Sequence, residues 1–162
     1  MRFVLSLTMA YAAAFLTAAC TGDPSAPTAS ESASLSPNQN LEVILRGDGF
    51  GLVKFRQPKD EEAIVYLDTW VRDLAPNTSY QLQRAVDTSI DDVCSGTGWL
   101  TLGRGSVPQT ITTDERGTGR EALFRNLTSP PGSAFEIHFR VIDATTQAVV
   151  LESGCYQFEV SL

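Results

Sequence analysis

Residues 71–87 read Val71-Arg72-Asp73-Leu74-Ala75-Pro76-Asn77-Thr78-Ser79-Tyr80-Gln81-Leu82-Gln83-Arg84-Ala85-Val86-Asp87, and how they fold decides the architecture. Pro76 fixes its φ near −65° and Asn77 tolerates turn geometry, so the chain reverses between two strands here. Tyr80 opens the returning strand. Its ring is placed for burial, with the hydroxyl sent back to the backbone of the Leu74–Asn77 turn, the device that holds corners in Greek-key sandwiches. A related stretch runs from Phe124 to Asp143, F-R-N-L-T-S-P-P-G-S-A-F-E-I-H-F-R-V-I-D. Both leave a strand through an apolar-Arg-(Asp/Asn)-Leu segment, turn at proline, and return on an aromatic-led strand that ends in Val-Asp or Ile-Asp.

Outward from that corner, the chain from Leu41 on alternates with period two and is punctuated by turn residues. Leu41, Val43 and Leu45 share one face, Gly47-Asp48-Gly49 turns the chain, and Val53 and Phe55 face inward. Ala63, Val65, Leu67 and Val71 oppose Ile64, Tyr66 and Trp70 on a long strand. Tyr80, Leu82 and Val86 oppose Gln81, Gln83 and Ala85. Residues 87–98 are polar and glycine-rich, a loop. Short strands are expected at 99–102, 109–113 and 121–124, with a hairpin turn at Asp114-Glu115-Arg116-Gly117. The clearest alternation sets Phe135, Ile137, Phe139 and Val141 against Glu136, His138 and Arg140. Val149 to Glu152 and an inward series Tyr156, Phe158, Val160 and Leu162 close the domain. No helical stripe interrupts this pattern. It predicts an all-β domain at 41–162, a single Greek-key, Ig-like β-sandwich of about eight to ten short strands.

The chain has 162 residues, which suits one domain, and its formal net charge is −7. An acidic chain with scattered charges offers no basic track for nucleic acid, so no nucleic-acid partner is expected. The N-terminus carries Arg2 and then an uncharged run from Phe3 to Ala19, the length of a signal-peptide core, ending Leu16-Thr17-Ala18-Ala19-Cys20. This ending resembles the lipobox of bacterial lipoproteins, although Leu16 sits one place earlier than is usual in that family. The resemblance implies a signal peptide at 1–19 and lipidation of Cys20. An ordinary Ala-x-Ala cleavage site and an uncleaved anchor are the other two readings of the same run. Residues 21–40 are dominated by Ser, Thr, Pro and Ala and cannot bury a core, so 20–40 reads as a lipidated cysteine and disordered tether. Thr21 follows the cysteine where an inner-membrane retention signal would place Asp. The expected localisation is therefore a membrane-anchored envelope protein, at an outer membrane or the cell surface.

The Leu74-x-Pro76-x-Thr78-x-Tyr80 corner resembles that of fibronectin type III domains. Together with the glycine-rich hairpin and extended strand before it, it is also similar to chordin-type (CHRD) domains, which resemble copper-zinc superoxide dismutase sandwiches. The latter resemblance implies a metal-binding or enzymatic sandwich as the alternative function. CHRD domains carry a His-x-His strand after the corner; this chain has Gln81-Leu82-Gln83 there.

With Cys20 assigned to the anchor, Cys94 and Cys155 remain of the three cysteines and are expected to form a disulfide, as exported chains permit. The bridge would pin the 87–98 loop to the start of the last strand. His138 is the only histidine and is expected on a solvated face, without the companions a zinc, copper or catalytic set requires. No catalytic residues and no cofactor are assigned. Asp87, Asp91 and Asp92 share one loop and are the candidate Ca²⁺ ligands of a Ca-dependent adhesion domain, although EF-hand spacing is missing. Arg46-Gly47-Asp48 reads as a turn. Tyr66, Trp70 and Trp99, with Arg72 and Arg84, are the candidate binding patch for a protein or glycan partner in the envelope, since Trp, Tyr and Arg dominate binding hot spots. The sequence thus reads as a non-catalytic, lipid-anchored binding or scaffolding module.

Overall fold

The computed structural model describes residues 40–58 and 62–161. The expected export segment, Cys20, the expected tether up to residue 39, residues 59–61 and Leu162 lie outside them, whereas Asn40, expected in the tether, opens the first strand. In chain order the strands are β1 Asn40–Gly47, β2 Phe50–Arg56, β3 Ile64–Arg72, β4 Ser79–Asp87, β5 Leu100–Thr101, β6 Gly103–Arg104, β7 Val107–Pro108, β8 Ile111–Thr112, β9 Gly119–Asn126, β10 Ala134–Asp143, β11 Val149–Ser153 and β12 Tyr156–Glu159. No helix is present among the described residues. The all-β class is therefore as expected. The strand number exceeds the eight to ten expected because β5 to β8 are only two residues each.

All twelve strands belong to one sheet. Seven long ones follow the hydrogen-bonded order β4-β10-β11-β1-β2-β3-β9, which leaves β4 and β9 at the two margins. The segment from Leu100 to Arg104 joins them: β5 pairs with β4 at Gln83↔Thr101, and β6 pairs in parallel with β9 at Arg104↔Phe124. Leu102 sits between, buried, donating its amide to Leu82 O at 2.8 Å. The sheet thereby curls into a flattened barrel whose two broad walls pack as a sandwich.

Two connections cross the barrel, β3 to β4 and β9 to β10. The pairing Val71↔Gly119 at one extreme of β3 and Ile64↔Asn126 at the other places these crossings at opposite ends. This is the Greek-key pattern: β1, β2 and β3 form a meander, and β4 then pairs with β10 instead of β3. Inward residues follow the expected parity. Val43, Leu45, Val53, Phe55, Leu67, Leu82, Phe139, Val141 and Leu151 fill the interior, with the Phe55 ring edge-on to Phe139 and Phe158 at 6.3 and 4.8 Å.

The first crossing is the proline corner. Tyr80 is 2 % exposed and its hydroxyl accepts a hydrogen bond from Ala75 N at 3.1 Å. Asn77 takes φ 50°, which asparagine tolerates better than most residues. A second residue completes the clamp: buried Thr113 donates its hydroxyl to Ala75 O at 2.7 Å and accepts from Thr78 N at 3.0 Å. The Asp114–Gly117 hairpin lies against the corner through Leu74 N to Gly117 O at 3.3 Å. Gly117 has φ 73°, and a Cβ there would overlap Leu74 O, so only glycine fits. The Asp114 carboxylate accepts Thr118 N and Arg116 N, and these bonds hold its pKa below the ordinary carboxylate range.

The other end is tied differently. Buried Gln57 pairs its side-chain amide with the backbone of Ser161, donating to the carbonyl at 2.5 Å and accepting from the amide at 3.1 Å. In effect one glutamine side chain replaces a rung of ladder and keeps the last residues on the barrel. Val160 is buried, as its inward parity requires.

Candidate functional site

The meander β1–β2–β3 and its neighbour β9 present one outer wall directly to solvent. Period-two parity sends Phe50, Leu52, Lys54 and Arg56 of β2, and Tyr66, Asp68, Trp70 and Arg72 of β3, to that wall. The register sets Phe50 opposite Arg72 and Leu52 opposite Trp70. The rings of Phe50 and Trp70 meet edge-on at 5.9 Å. Arg46 lies 4.5 Å above the Phe50 ring, and Arg72 sits 4.8 Å from Phe50 and 5.5 Å from Trp70. Guanidinium groups over ring faces are held by the ring quadrupole and keep donors at their edges, one of which, Arg72 Nε, lies 3.6 Å from the Asp73 carboxylate. A shallow groove of about 590 Å³ continues beside Trp70, lined by Leu52, Lys54, Asp68 and Arg120.

The charge on this wall opposes that of the whole chain. Arg46, Lys54, Arg56, Arg72 and Arg120 face out beside Glu42 and Asp68, with Asp73 3.6 Å from Arg72 and Glu152 of β11 opposite Arg46, so the wall keeps a small cationic excess. Asp68 lies between Arg56 and Arg120 at 3.8 and 4.0 Å, and Lys54 reaches Glu42 at 3.8 Å. Such exposed pairs add little stability. Their consequence here is a polar rim of mixed charge around a partly apolar, aromatic centre, the layout of a contact surface.

Of the five residues expected in one patch, Tyr66, Trp70 and Arg72 share this wall, whereas Trp99 and Arg84 lie elsewhere. Trp99 is on the opposite wall, its ring 4.6 Å from His138 and under the Arg140 guanidinium at 4.0 Å. Arg84 has the inward parity of Leu82 and Val86 and lines a cavity that opens at one end of the barrel. Sequence reasoning missed Phe50, Arg46 and Arg120 as members of the wall. Phe50 follows a turn glycine, so its face becomes definite only once β2 is known to begin at that residue.

The opposite wall, the outer face of β4 and β10, is covered by residues 88–99. The Cys94–Cys155 disulfide spans 61 residues with Cα atoms 5.3 Å apart and fastens that loop just before β12, as expected. Beneath it the outward residues are not solvated. Glu136 is fully buried, accepting Asp91 N at 3.0 Å and Asp92 N at 2.5 Å on Oε1, with no partner at Oε2. His138, expected to be solvated, is half-buried, its Nε2 3.0 Å from Gly96 O. Arg140 donates to Gln83, and Gln83 donates to Thr101. Period-two alternation correctly assigns these residues to the outer face; it carries no information about a covering loop.

The three loop aspartates do not converge on a cation. Asp87 accepts Ser95 N and Gly96 N at 2.8 and 2.7 Å, Asp91 accepts Val93 N at 3.0 Å, and Asp92 accepts Gln157 Nε2 at 3.2 Å. Each carboxylate shapes the loop. Among the described residues the one set of potential metal-binding side chains that comes together is Cys94, Glu136 and Cys155, and its two sulfurs are bonded to each other. Gln81 and Gln83 stand on the β4 outer face where the CHRD resemblance would require histidines.

No known family model matches the chain, and no curated protein matches it.

Proposed function

We propose that this protein is a non-catalytic binding or scaffolding module of the cell envelope, held to a membrane by a lipid on Cys20. The observation that carries the reading is the solvent-facing Phe50–Trp70 pair with Arg46 and Arg72 over its rings. Aromatic and arginine side chains bury large area at low entropic cost, which is why they anchor contacts with proteins and glycans. An outer-membrane or cell-surface position for the domain follows from the lipobox-like Leu16-to-Cys20 ending and the absence of Asp at position 21.

Binding is tested with purified envelope fractions, peptidoglycan and membrane proteins separately, against wild type and Trp70→Ala. The variant is expected to weaken retention about thirtyfold, the effect of losing a hot-spot side chain worth about 2 kcal/mol. Its folding midpoint is followed in parallel. Equal retention of both forms would refute a role for this wall.

For the anchor, Cys20→Ala is expected to yield a chain that is neither acylated nor cleaved at this site and that leaves the membrane fraction. Mass spectrometry of the mature wild-type protein is the check. An unmodified thiol at Cys20 would overturn the lipid assignment. A CHRD-like metal-binding or enzymatic sandwich is the second reading, and it rests on the sequence of the glycine-rich hairpin, the extended strand and the Leu74-to-Tyr80 corner. Elemental analysis separates the two readings, because stoichiometric copper or zinc would favour the CHRD-like one.

A further inference from the structure

The cavity lined by Arg84 opens at one end of the barrel, at the exposed Thr88, Asn126, Thr128 and Ser129, and has a chemistry that the fold does not require. It measures about 190 Å³ and lies between the two walls, with Phe55, Leu67, Ile137, Phe139 and Phe158 among its apolar sides. That is the liquid volume of about six water molecules, below the usual range for drug-sized ligands and suited to a small apolar body. Two arginines line it, Arg84 from β4 and Arg125 from β9, with Asn126 and Thr128 beside them.

The two cations are uncompensated. Arg125 donates to Gly105 O at 3.2 Å. Among the described residues the Arg84 side chain makes no hydrogen bond, and neither arginine has a carboxylate partner. Glu121, on the same strand as Arg125, pairs with Arg104 at 2.7 Å. Burial lowers the pKa of Arg84, and the charge of Arg125 pushes it the same way. Two like charges brought to one largely apolar cavity, with no carboxylate paired to either among the described residues, make an anion a favourable partner there.

We propose that this cavity is a binding site for a small amphipathic carboxylate, whose apolar body fills the space between the walls while its carboxylate is held by Arg84 and Arg125. Guanidinium groups match carboxylates through paired, parallel N–H donors, and a low-dielectric surround strengthens such bonds. The apolar sides exclude fully polar anions, because these would lose hydration without replacement along most of their surface. This site is separate from the outer wall, so it stands or falls independently of the binding proposed there.

The test is calorimetric titration of the purified, disulfide-intact protein with hexanoate, acetate and hexan-1-ol. Hexanoate is expected to bind one-to-one and saturably, with acetate and the neutral alcohol at least tenfold weaker. Arg84→Gln and Arg125→Gln should each weaken hexanoate at least tenfold, with Arg84→Lys retaining part of the affinity. Hexanoate should also raise the melting temperature of wild type more than that of either glutamine variant. If a glutamine variant does not fold, the three-ligand comparison on wild type decides alone. Absence of hexanoate binding at millimolar concentration, or equal binding of hexan-1-ol, would overturn the proposal, as would unchanged affinity in two folded glutamine variants.

Discussion

Tyr80→Ala is expected to lower the unfolding free energy by about 3–5 kcal/mol, the range for deleting a large buried aromatic and leaving a cavity. The ring is 2 % exposed and sits where β4 leaves the corner, beside buried Leu74 and Ile111. Tyr80→Phe separates the ring from its hydroxyl. It strands the Ala75 amide, which now has the phenolic oxygen as its acceptor at 3.1 Å, and should cost about 1–3 kcal/mol. Phe135→Tyr is the control. Phe135 leads β10 after the second proline turn and packs against Phe158, with ring centres 5.2 Å apart and the rings inclined at 56°. That turn is already held by the backbone, through Gly132 N to Val160 O at 2.8 Å and Val160 N to Ser133 O at 2.9 Å. A hydroxyl at position 135 should therefore add no stability. Urea unfolding of all three variants with a common slope is the measurement. A neutral Tyr80→Phe would reduce the corner to ordinary core packing.

Removing the disulfide by Cys94→Ser is expected to have an effect of similar size. Bridging residues 61 apart restricts the unfolded chain by about 4 kcal/mol in the loop-entropy description. The native state adds a second contribution. The bridge presses residues 91 and 92 onto Glu136, whose buried carboxylate depends on their two amides. If the loop lifts, that carboxylate regains water, which limits the cost of losing the bonds. Cys94→Ser and Glu136→Gln should consequently be non-additive: the second substitution should cost less in the open-loop background than in wild type. A double-mutant cycle measured by urea unfolding checks this, with non-reducing peptide mapping to confirm the bridge in the parent. Full additivity would mean that the loop stays seated without its disulfide.

Much of the barrel was readable from residue order because a strand writes its faces in period two. Phe135, Ile137, Phe139 and Val141 announce a core face, and all lie on the interior side. The corner was readable because proline, asparagine and tyrosine each contribute a separate constraint at fixed spacing. The two cysteines were readable because little else in the folded domain could use them. What failed has a common cause. Parity distinguishes two sides of a strand without saying what lies over either, so Glu136 and His138 looked solvated although residues 88–99 cover them. The same limit applies to Arg84, a charged residue with inward parity that chemistry alone assigns to the surface. Gln57 and Thr113 were invisible for another reason. Their partners, Ser161 and the Ala75–Thr78 corner, are distant in sequence, and no local pattern marks a polar side chain that completes a remote backbone. The candidate site was divided accordingly: adjacent β3 residues were grouped correctly, and residues from different walls were not.

The position of β1 has a mechanical consequence. This strand is paired on both sides, with β2 over seven residues from Asn40 to Arg46 and with β11 from Leu45 to Gly47. A pull applied through the chain preceding Asn40 acts along the strand axis, perpendicular to its antiparallel hydrogen bonds. Those bonds are then loaded together in shear. A hairpin pulled open from its turn would instead part them one at a time. The first crossing and its tyrosine clamp lie at the far end of the barrel from Asn40, since Asn40 pairs with Arg56 while Phe50 pairs with Arg72 next to the corner. A domain tethered by its N-terminus would thus meet tension along the axis of a strand that is laddered to β2 over seven residues and locked between two neighbours at its far end.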